Sequence, residues 1–323
     1  MKKFSLVFLM FVAIHLSGTT QKLSVADLKS LKTKEDSLKI FALRIIQGRT
    51  ANERFEADSQ FTRMLVRALK TKHSIQFRFD SLYTISKLSP ADSSFKIFTW
   101  QMVINDNVVR QHGAIQMKTP DGSLRLFPLI DKSDVTIKPG DTISNNFGWI
   151  GAVYYKLIEK EANGRKYYTL LGYDENNIKS NKKVVEVLSF FDKEPVFGGS
   201  YFSYKSNTLN QNFGKRFIME YKKNASPRLT YDKDMDIIIF EHLVSESGEV
   251  NKKWTLIPDG DYEGLKWMNG KWVHVESVYD GKVIESRNAV PNPLRDAQGN
   301  IIENQLKNNS GIDEPPANGS KKK

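Results

Sequence analysis

The chain has 323 residues and no cysteine, which excludes thiolate nucleophiles, zinc-thiolate sites, iron-sulfur clusters and disulfide frameworks. Its 40% hydrophobic and 26% charged residues, with a mean hydropathy of -0.45, exclude a multispanning membrane protein and a wholly disordered chain. The formal net charge of +11 favours anionic partners, such as an acidic envelope glycan or phospholipid head groups. The basic residues are dispersed in short pairs, however, and such pairs more often mark solvated strand edges than a binding groove.

The first residues have the pattern of a secretory signal peptide, which we expect to span residues 1–20. Met1-Lys2-Lys3 is positive, residues 4–16 are apolar, and residues 17–21 are small or polar. A buried N-terminal helix is the alternative, but the polar break after Leu16 is abrupt. No cysteine follows to carry a lipid, and no later stretch approaches the roughly 20 apolar residues that span a membrane. We therefore expect an exported protein, periplasmic or extracellular, with no nucleic-acid partner.

Residues 21–72 are predicted to form a pair of amphipathic helices. The first segment has apolar residues at helical spacing: Leu28, Leu31, Leu38, Phe41 and Ile45. Ser24 is placed as its N-cap and Gly48 as its C-terminal cap. The same spacing recurs between Phe55 and Leu69. We expect this helical hairpin to cover one end of a sheet.

Residues 73–287 are predicted to form an antiparallel β-rich domain. Apolar and polar residues alternate over 75–80 and again over 95–100. Four pairs are typical of hairpin turns: Asp121-Gly122, Asn163-Gly164, Asn269-Gly270 and Asp280-Gly281. Residues 182–191 fit a strand or a short helix, and their β-branched content favours a strand. Hairpins in series predict a mainly β (α+β) fold, with an antiparallel meander sheet that is sandwich or barrel-like.

The last segment, residues 288–323, differs in composition from the rest. It is rich in proline, asparagine, glycine and lysine, and it has few apolar residues to bury. Such a segment cannot offset its chain entropy by burial. We therefore predict a disordered polar tail there.

Aromatic residues flank two of the predicted turns. Tyr154 and Tyr155 precede one turn and Tyr167-Tyr168 follow it, while Trp267 and Trp272 flank another. This placement predicts cross-strand aromatic pairs. Tyrosine and tryptophan on an open sheet face would also suit stacking against sugar rings. Core and cross-strand packing is the commoner role of strand aromatics, and it is the favoured interpretation.

Acidic residues suggest two further sites. Asp232, Asp234 and Asp236 superficially resemble a calcium loop, but Ile237 and Leu243 stand where an EF-hand needs glycine and glutamate. A hairpin turn explains these acids better. The pair Asp174-Glu175 follows a predicted strand and could contribute to glycoside hydrolysis. That reaction needs two carboxylates roughly 5–10 Å apart, which a sequence cannot establish.

The histidines that remain after removal of the leader, namely His73, His112, His242 and His274, are isolated from one another along the chain. Glu241-His242 lacks the second histidine of a zinc protease motif, and no Gly-x-Ser-x-Gly elbow is present. Residues 198–200, Gly-Gly-Ser, lack the lysine of a phosphate loop. The sequence does not exclude a catalytic triad assembled from residues that lie far apart in the chain. We therefore assign no catalytic, cofactor-binding or metal-binding residue and expect no cofactor.

Three stretches resemble a family of exported bacterial proteins of unknown function, found in the Gram-negative envelope. They are residues 148–156 (GWIGAVYYK), 168–174 (YTLLGYD) and 182–188 (KKVVEVL), with further likeness at residues 195–198, 239–243 and 258–260. The resemblance implies export and carries no activity, ligand or catalytic residue.

Two functional hypotheses follow. The first is a non-enzymatic β-rich envelope protein that binds or organises another envelope component, such as an anionic glycan or another protein. The second is a secreted, glycan-directed hydrolase that uses carboxylates such as Asp174 or Asp236. The absence of a catalytic signature favours the first, and a convergent acidic cleft would favour the second.

Overall fold

A computed structural model describes residues 22–105, 107–203 and 214–279. The predicted signal peptide, the turn at Asp280-Gly281 and the predicted polar tail lie outside these residues. No helix in the described ranges has the length and apolar content that crossing a membrane requires.

Two helices open the described part of the chain. They are α1, Val25–Gln47, and α2, Ala51–Leu69. The hydroxyl of Ser24 accepts a hydrogen bond from the backbone N–H of Asp27 and so caps α1. At the other end, the N–H of Gly48 donates to the carbonyl oxygen of Arg44. The predicted helical pair and both caps of its first helix are confirmed.

The first sheet has four antiparallel strands in sequence order. They are β1, Ser86–Leu88; β2, Phe95–Asn105; β3, Val108–Met117; and β4, Arg125–Ile130. The long strand β2 is buried on both faces. Its Phe98 and Trp100 face the helices, and its Phe95 and Ile97 face the opposite way. Such two-sided burial explains why apolar residues here do not strictly alternate with polar ones.

The second sheet lies in the middle of the molecule. Its strands are β5, Ser144–Asn145; β6, Val153–Ala162; β7, Arg165–Asp174; β8, Ser180–Phe191; β9, Glu194–Phe197; and β11, Phe217–Lys222. The order is β5-β9-β8-β7-β6, and β11 pairs with the first half of β8 beyond the end of β9. Residues 182–191 are therefore strand, as their β-branched content favours.

The third sheet has five strands. They are β10, Phe202–Ser203; β12, Leu229–Asp232; β13, Ile237–Ser245; β14, Leu256–Met268; and β15, Lys271–Val275. Their order is β10-β15-β14-β13-β12, antiparallel except for the short parallel pairing of β10 with β15. The mainly β, antiparallel fold is confirmed. The sheets stay open and stack as layers of a sandwich.

Three hydrophobic cores hold four layers together. The helices pack on the first sheet around Phe61 and Trp100, whose rings meet edge-on at 5.0 Å. The first and second sheets share a core around Trp149. The second and third sheets share another around Trp272, whose indole N–H donates to Thr169 at 2.8 Å. The second sheet is thus covered on both faces.

Residues 75–80 do not form the strand that their alternation predicts. Ser74–Gln76 is a short 3₁₀ helix. The carbonyl oxygens of Ile75 and Phe77 accept hydrogen bonds of 2.8 and 2.6 Å from the Lys96 ammonium instead of from a neighbouring strand. Burial lowers the pKa of this lysine to about 8. A tertiary contact has replaced local strand pairing, which alternation alone cannot reveal.

The two predicted aromatic pairings have opposite outcomes. Trp267 lies directly opposite Trp272, with ring centroids 5.3 Å apart, so this pair is confirmed. The pairing of Tyr154-Tyr155 with Tyr167-Tyr168 is wrong, because Tyr154 lies opposite Gly172 beside a bulge in β6. Tyr167 and Tyr168 lie opposite Lys160 and Glu159 instead. A Cβ on that glycine would lie 2.9 Å from the Tyr154 ring. The glycine therefore makes room for a buried tyrosine.

Candidate functional site

An aromatic groove of about 680 Å³ lies at the end of the second sheet. We use this name for the surface formed where β7 begins and β8 and β9 meet. Its aromatic lining residues are Tyr167, Tyr168, Phe190, Phe191 and Tyr201. These five are half of the ten lining residues, and three of the others are charged.

The rings of the groove support one another edge to face. Tyr167 is 5.2 Å from Tyr201 and 5.9 Å from Trp267, measured between ring centroids. Tyr168 and Phe190 are 6.1 Å apart in a T-shaped arrangement. Such arrangements fix ring orientation. Tyr168 is buried, whereas Tyr167, Phe190 and Tyr201 are partly exposed.

Local backbone conformations place these rings. Phe190 and Phe191 end β8, and the following turn residues, Asp192 and Lys193, have φ of 48° and 65°. Positive φ at both central residues is typical of a tight type I′ hairpin turn. Phe191 is left 67% exposed at the rim of the groove.

Gly199 allows Tyr201 to fold back against the main chain. Its φ is +153°, and a Cβ there would lie 2.3 Å from the tyrosine ring. The backbone of residues 198–200, Gly-Gly-Ser, therefore positions the Tyr201 ring. It lies before the short strand β10 instead of opening a helix, so it has no phosphate-loop context.

The groove also carries charge at its rim. Lys166 forms an ion pair of 2.6 Å with Asp92, and hydrogen bonds from Lys166 and Ser94 lower the pKa of Asp92 to about 2. Arg165 has no ion pair among the described residues, and Asp192 is the acid of the lining. Arg165 is therefore available to an anionic ligand.

A second cleft, of about 410 Å³, lies between the second and third sheets; we name it the charged cleft. Phe217, Met219, Phe240 and Leu256 supply apolar surface. Its polar lining residues are Lys182, Arg216, Glu220, Glu241, His242, Lys253 and Glu263. No described residue of this lining carries a hydroxyl or thiol group, so these residues offer no oxygen or sulfur nucleophile of the serine or cysteine type.

Two histidines alternate with two carboxylates beside the charged cleft, and two of the four residues, His242 and Glu263, line it. His242 Nδ1 is 2.7 Å from Asp259 Oδ2, and His242 Nε2 is 3.8 Å from Glu263 Oε1. The other oxygen of Glu263 lies 2.6 Å from His274 Nε2. His274 itself is buried, whereas the His242 side chain is 24% exposed.

Sequence reasoning treated these histidines as isolated and missed their convergence. Phe240 and Leu265 face the core from the third sheet. His242 lies two residues after Phe240, and Glu263 lies two residues before Leu265. His274 follows the buried Trp272 at the same interval in β15. A polar residue two places from a buried apolar one on three strands is a detectable signal. Only the strand order shows that the three strands are neighbours.

The acids that the sequence singled out lie in separate places. Asp174 is buried and accepts hydrogen bonds from Gln111 Nε2 at 3.0 Å and from the N–H of Asn176 at 2.8 Å. Burial raises its pKa above the ordinary value, although these bonds counter part of the effect. Glu175, next to it, pairs with Lys223 at 3.4 Å.

The three aspartates of residues 232–236 belong to the hairpin between β12 and β13. Asp232 accepts hydrogen bonds from the N–H groups of Asp234 and Met235, as a turn residue does. Asp236 instead binds the side chains of Lys160 and Tyr231. Throughout the described ranges, histidine and acidic side chains form no group of three or more that could hold a metal ion.

The two other histidines have packing roles. His112 Nδ1 lies 2.9 Å from Asp58, which also accepts from the Trp100 indole at 2.7 Å. The ring of His73 lies against Gly122, where a Cβ would approach within 2.4 Å. Neither residue lines either cleft.

Comparisons of the chain with protein-family models, with curated proteins and with solved structures found no match. The resemblance to exported envelope proteins therefore stays a prediction.

Proposed function

We propose that the protein is an exported, non-enzymatic envelope protein that binds an acidic glycan of the cell envelope in the aromatic groove. The aromatic lining of the groove, above all Tyr167, Phe191 and Tyr201, is the observation that carries this proposal. Sugar rings present flat apolar faces with polar rims, and aromatic rings stack on such faces. Arg165, which has no ion pair within the described part of the chain, favours an acidic glycan over a neutral one. So does the net charge of +11, of which only Lys2 and Lys3 lie in the predicted signal peptide.

The positions of the two carboxylates once considered for hydrolysis argue for binding. Asp236 is held by Lys160, which lies opposite Tyr167 near the start of β7. Asp174 ends that strand, which at roughly 3.3 Å per residue puts it about 23 Å further along. A glycosidase pair needs a separation of roughly 5–10 Å. These two acids are therefore a poor hydrolytic pair.

Binding to purified envelope polysaccharides tests the proposal. The probes are peptidoglycan sacculi, in cosedimentation, and immobilised lipopolysaccharide, in surface plasmon resonance. We expect Tyr167→Ala and Phe191→Ala each to weaken binding about fivefold, because each removes a stacking surface worth on the order of 1 kcal/mol. Arg165→Gln should weaken binding and reduce its salt dependence.

Tyr83→Ala is the matched control, since Tyr83 is also 67% exposed but lies outside the groove. Its binding should equal that of the parent. The proposal fails if neither polysaccharide binds the parent. It also fails if the control loses as much affinity as the groove variants, because binding would then not depend on the groove.

A further inference from the structure

We propose that the outer face of the helical pair docks on an anionic phospholipid surface, with basic side chains at the head groups and two aliphatic side chains between them. We name it the basic helical face. Its exposed basic residues are Lys29, Lys32 and Lys39 of α1 and Arg63, Arg67 and Lys70 of α2. None of them lines the aromatic groove, so the inference does not depend on the glycan proposal.

Positive charge is concentrated in the helical pair. Residues 22–72 contain 12 lysines and arginines against 6 aspartates and glutamates, a net charge of +6. Residues 73–279, a much longer stretch, contain 27 against 25, a net charge of +2. A surface with such a local excess attracts anionic partners.

The acids of the helical pair do little to neutralise this face. Glu35 is buried and accepts a hydrogen bond of 2.7 Å from the N–H of Ser81. Asp58 is buried too, where it binds side chains of the first sheet. Asp36 and Glu56 are exposed, but they are two acids among six basic residues. Within the described part of the chain, none of these six basic residues forms an ion pair.

Both helices turn their basic residues away from the protein. Each helix contacts β2, and the buried side of each belongs to the core that they share with the first sheet. In α1 that side carries Leu31, Leu38 and Ala42. At 3.6 residues per turn, Lys29 and Lys32 lie on the other side of the helix. The outward sides of the two helices therefore form one surface.

Two aliphatic residues share the outward side of α1 with its lysines. Val25 is 86% exposed and Ile40 is 59% exposed. Helical spacing places both on the side that carries Lys29 and Lys32. Helices that lie on membrane surfaces combine basic residues with apolar side chains that enter the boundary between head groups and acyl chains. A lipid surface thus matches both the charged and the apolar side chains.

Other anionic partners fit this face less well. Its two exposed apolar residues are aliphatic, whereas sugar rings stack on aromatic ones. None of its basic residues lines either cleft, so it offers no groove to hold a glycan chain. A second copy of the chain is disfavoured as well, because a two-fold dimer interface uses the same surface twice and would bring like charges together.

Cosedimentation with lipid vesicles tests the inference. The probes are vesicles of phosphatidylcholine alone and vesicles in which it is mixed equally with phosphatidylglycerol, which is anionic. The protein from residue 21 onward is used, because the apolar residues 4–16 would themselves bind lipid, and the three described cores contain none of them. We expect at least about tenfold tighter binding to the anionic vesicles, and this binding should weaken as added salt screens the charges.

Two double variants separate charge from apolar contact. Lys29→Gln with Lys32→Gln should weaken binding to the anionic vesicles about tenfold or more, since each basic residue near such a surface contributes about fivefold. Val25→Ser with Ile40→Ser should weaken it about fivefold, because the side chains that enter the lipid are lost. All four positions are exposed, so these substitutions leave the cores intact.

The matched control, Lys233→Gln with Lys271→Gln, removes two exposed lysines of the third sheet and its turns. It should bind the anionic vesicles as the parent does, and so should Tyr167→Ala. Equal binding of the parent to both kinds of vesicle overturns the inference. So does an equal loss in the control, because binding would then follow net charge instead of this face. Unchanged binding of the serine variant would also contradict it, since a face that recognises charge alone fits a soluble polyanion equally well.

Discussion

Single residues of similar sequence context have very different surroundings in this protein. Asp234 and Asp236 lie in one turn, yet the Asp236 carboxylate binds Lys160 and Tyr231 whereas Asp234 receives only local contacts to its backbone. The Lys160 side chain is only 11% exposed and lies over the Trp272 ring at 5.5 Å. A turn position alone therefore does not describe the role of Asp236.

We expect Asp236→Asn to lower the free energy of unfolding by about 1–2 kcal/mol at neutral pH, because it leaves a mostly buried ammonium without its charged partner. Asparagine tolerates the φ of 52° at this position, so the turn itself should be unaffected. Urea unfolding measures the change. Asp234→Asn is the control and should stay within about 0.5 kcal/mol of the parent.

The destabilisation caused by Asp236→Asn should decrease as the pH falls. Burial raises the pKa of Asp236, but hydrogen bonds from Lys160 and Tyr231 outweigh it and leave the pKa below its ordinary value. A lowered folded-state pKa gives stability that is present above the unfolded pKa of about 4 and is lost as the pH falls through the folded value. The difference between parent and Asp236→Asn should therefore shrink in acid. A difference that grows in acid would contradict this assignment.

At the scale of secondary-structure elements, the hairpins show where local sequence is sufficient to predict a turn. Asn163-Gly164 and Asn269-Gly270 each connect two antiparallel strands directly, with positive φ at both turn residues. Asp121-Gly122 instead lies within a longer loop between β3 and β4, where only Gly122 of the pair has positive φ. The β8–β9 turn has the conformation of the two direct turns but uses Asp192-Lys193, which carries no glycine signal. Turn type follows from sequence only where the sequence contains the preferred residues.

This unusual turn gives a test. We expect the double substitution Asp192→Asn with Lys193→Gly to raise the free energy of unfolding by about 0.5–2 kcal/mol, because it removes the steric cost of a lysine at φ 65°. Thermal unfolding measures it. Lys271→Gly should have the opposite sign, since Lys271 lies in the strand β15, where glycine is destabilising. Destabilisation by the double substitution would show that the turn is not strained.

Contacts between residues far apart in the chain could not be predicted from the sequence. The contact of Lys96 with the carbonyl oxygens of Ile75 and Phe77 overrides an alternating pattern. The buried pair Glu186–Arg216 joins β8 to the segment before β11, 30 residues further along the chain. The approach of His242 to Glu263 at the charged cleft requires β13 and β14 to be neighbours. Each depends on residues far apart in the chain, which periodicity and turn signals do not report.

At the scale of the whole molecule, the layered order sets where stability lies. The second sheet has a hydrophobic core on each face, one shared with the first sheet and one with the third. The helices and the third sheet each contribute to one core. A strand in the middle of such a stack cannot open without separating two cores.

Hydrogen exchange should reveal this order. We expect the slowest amides in β7 and β8, around the fully buried Leu170 and Val185, and in β2 of the first sheet, which also has a core on each face. Their exchange requires opening of both neighbouring cores, so it should approach the free energy of global unfolding. Edge strand β12 should exchange faster, because only one of its sides is paired. Native-state exchange followed by mass spectrometry measures both. If the amides of α1 or β12 exchanged more slowly than those of β8, the most stable core would lie under the helices or in the third sheet. That result would contradict the argument from layer order.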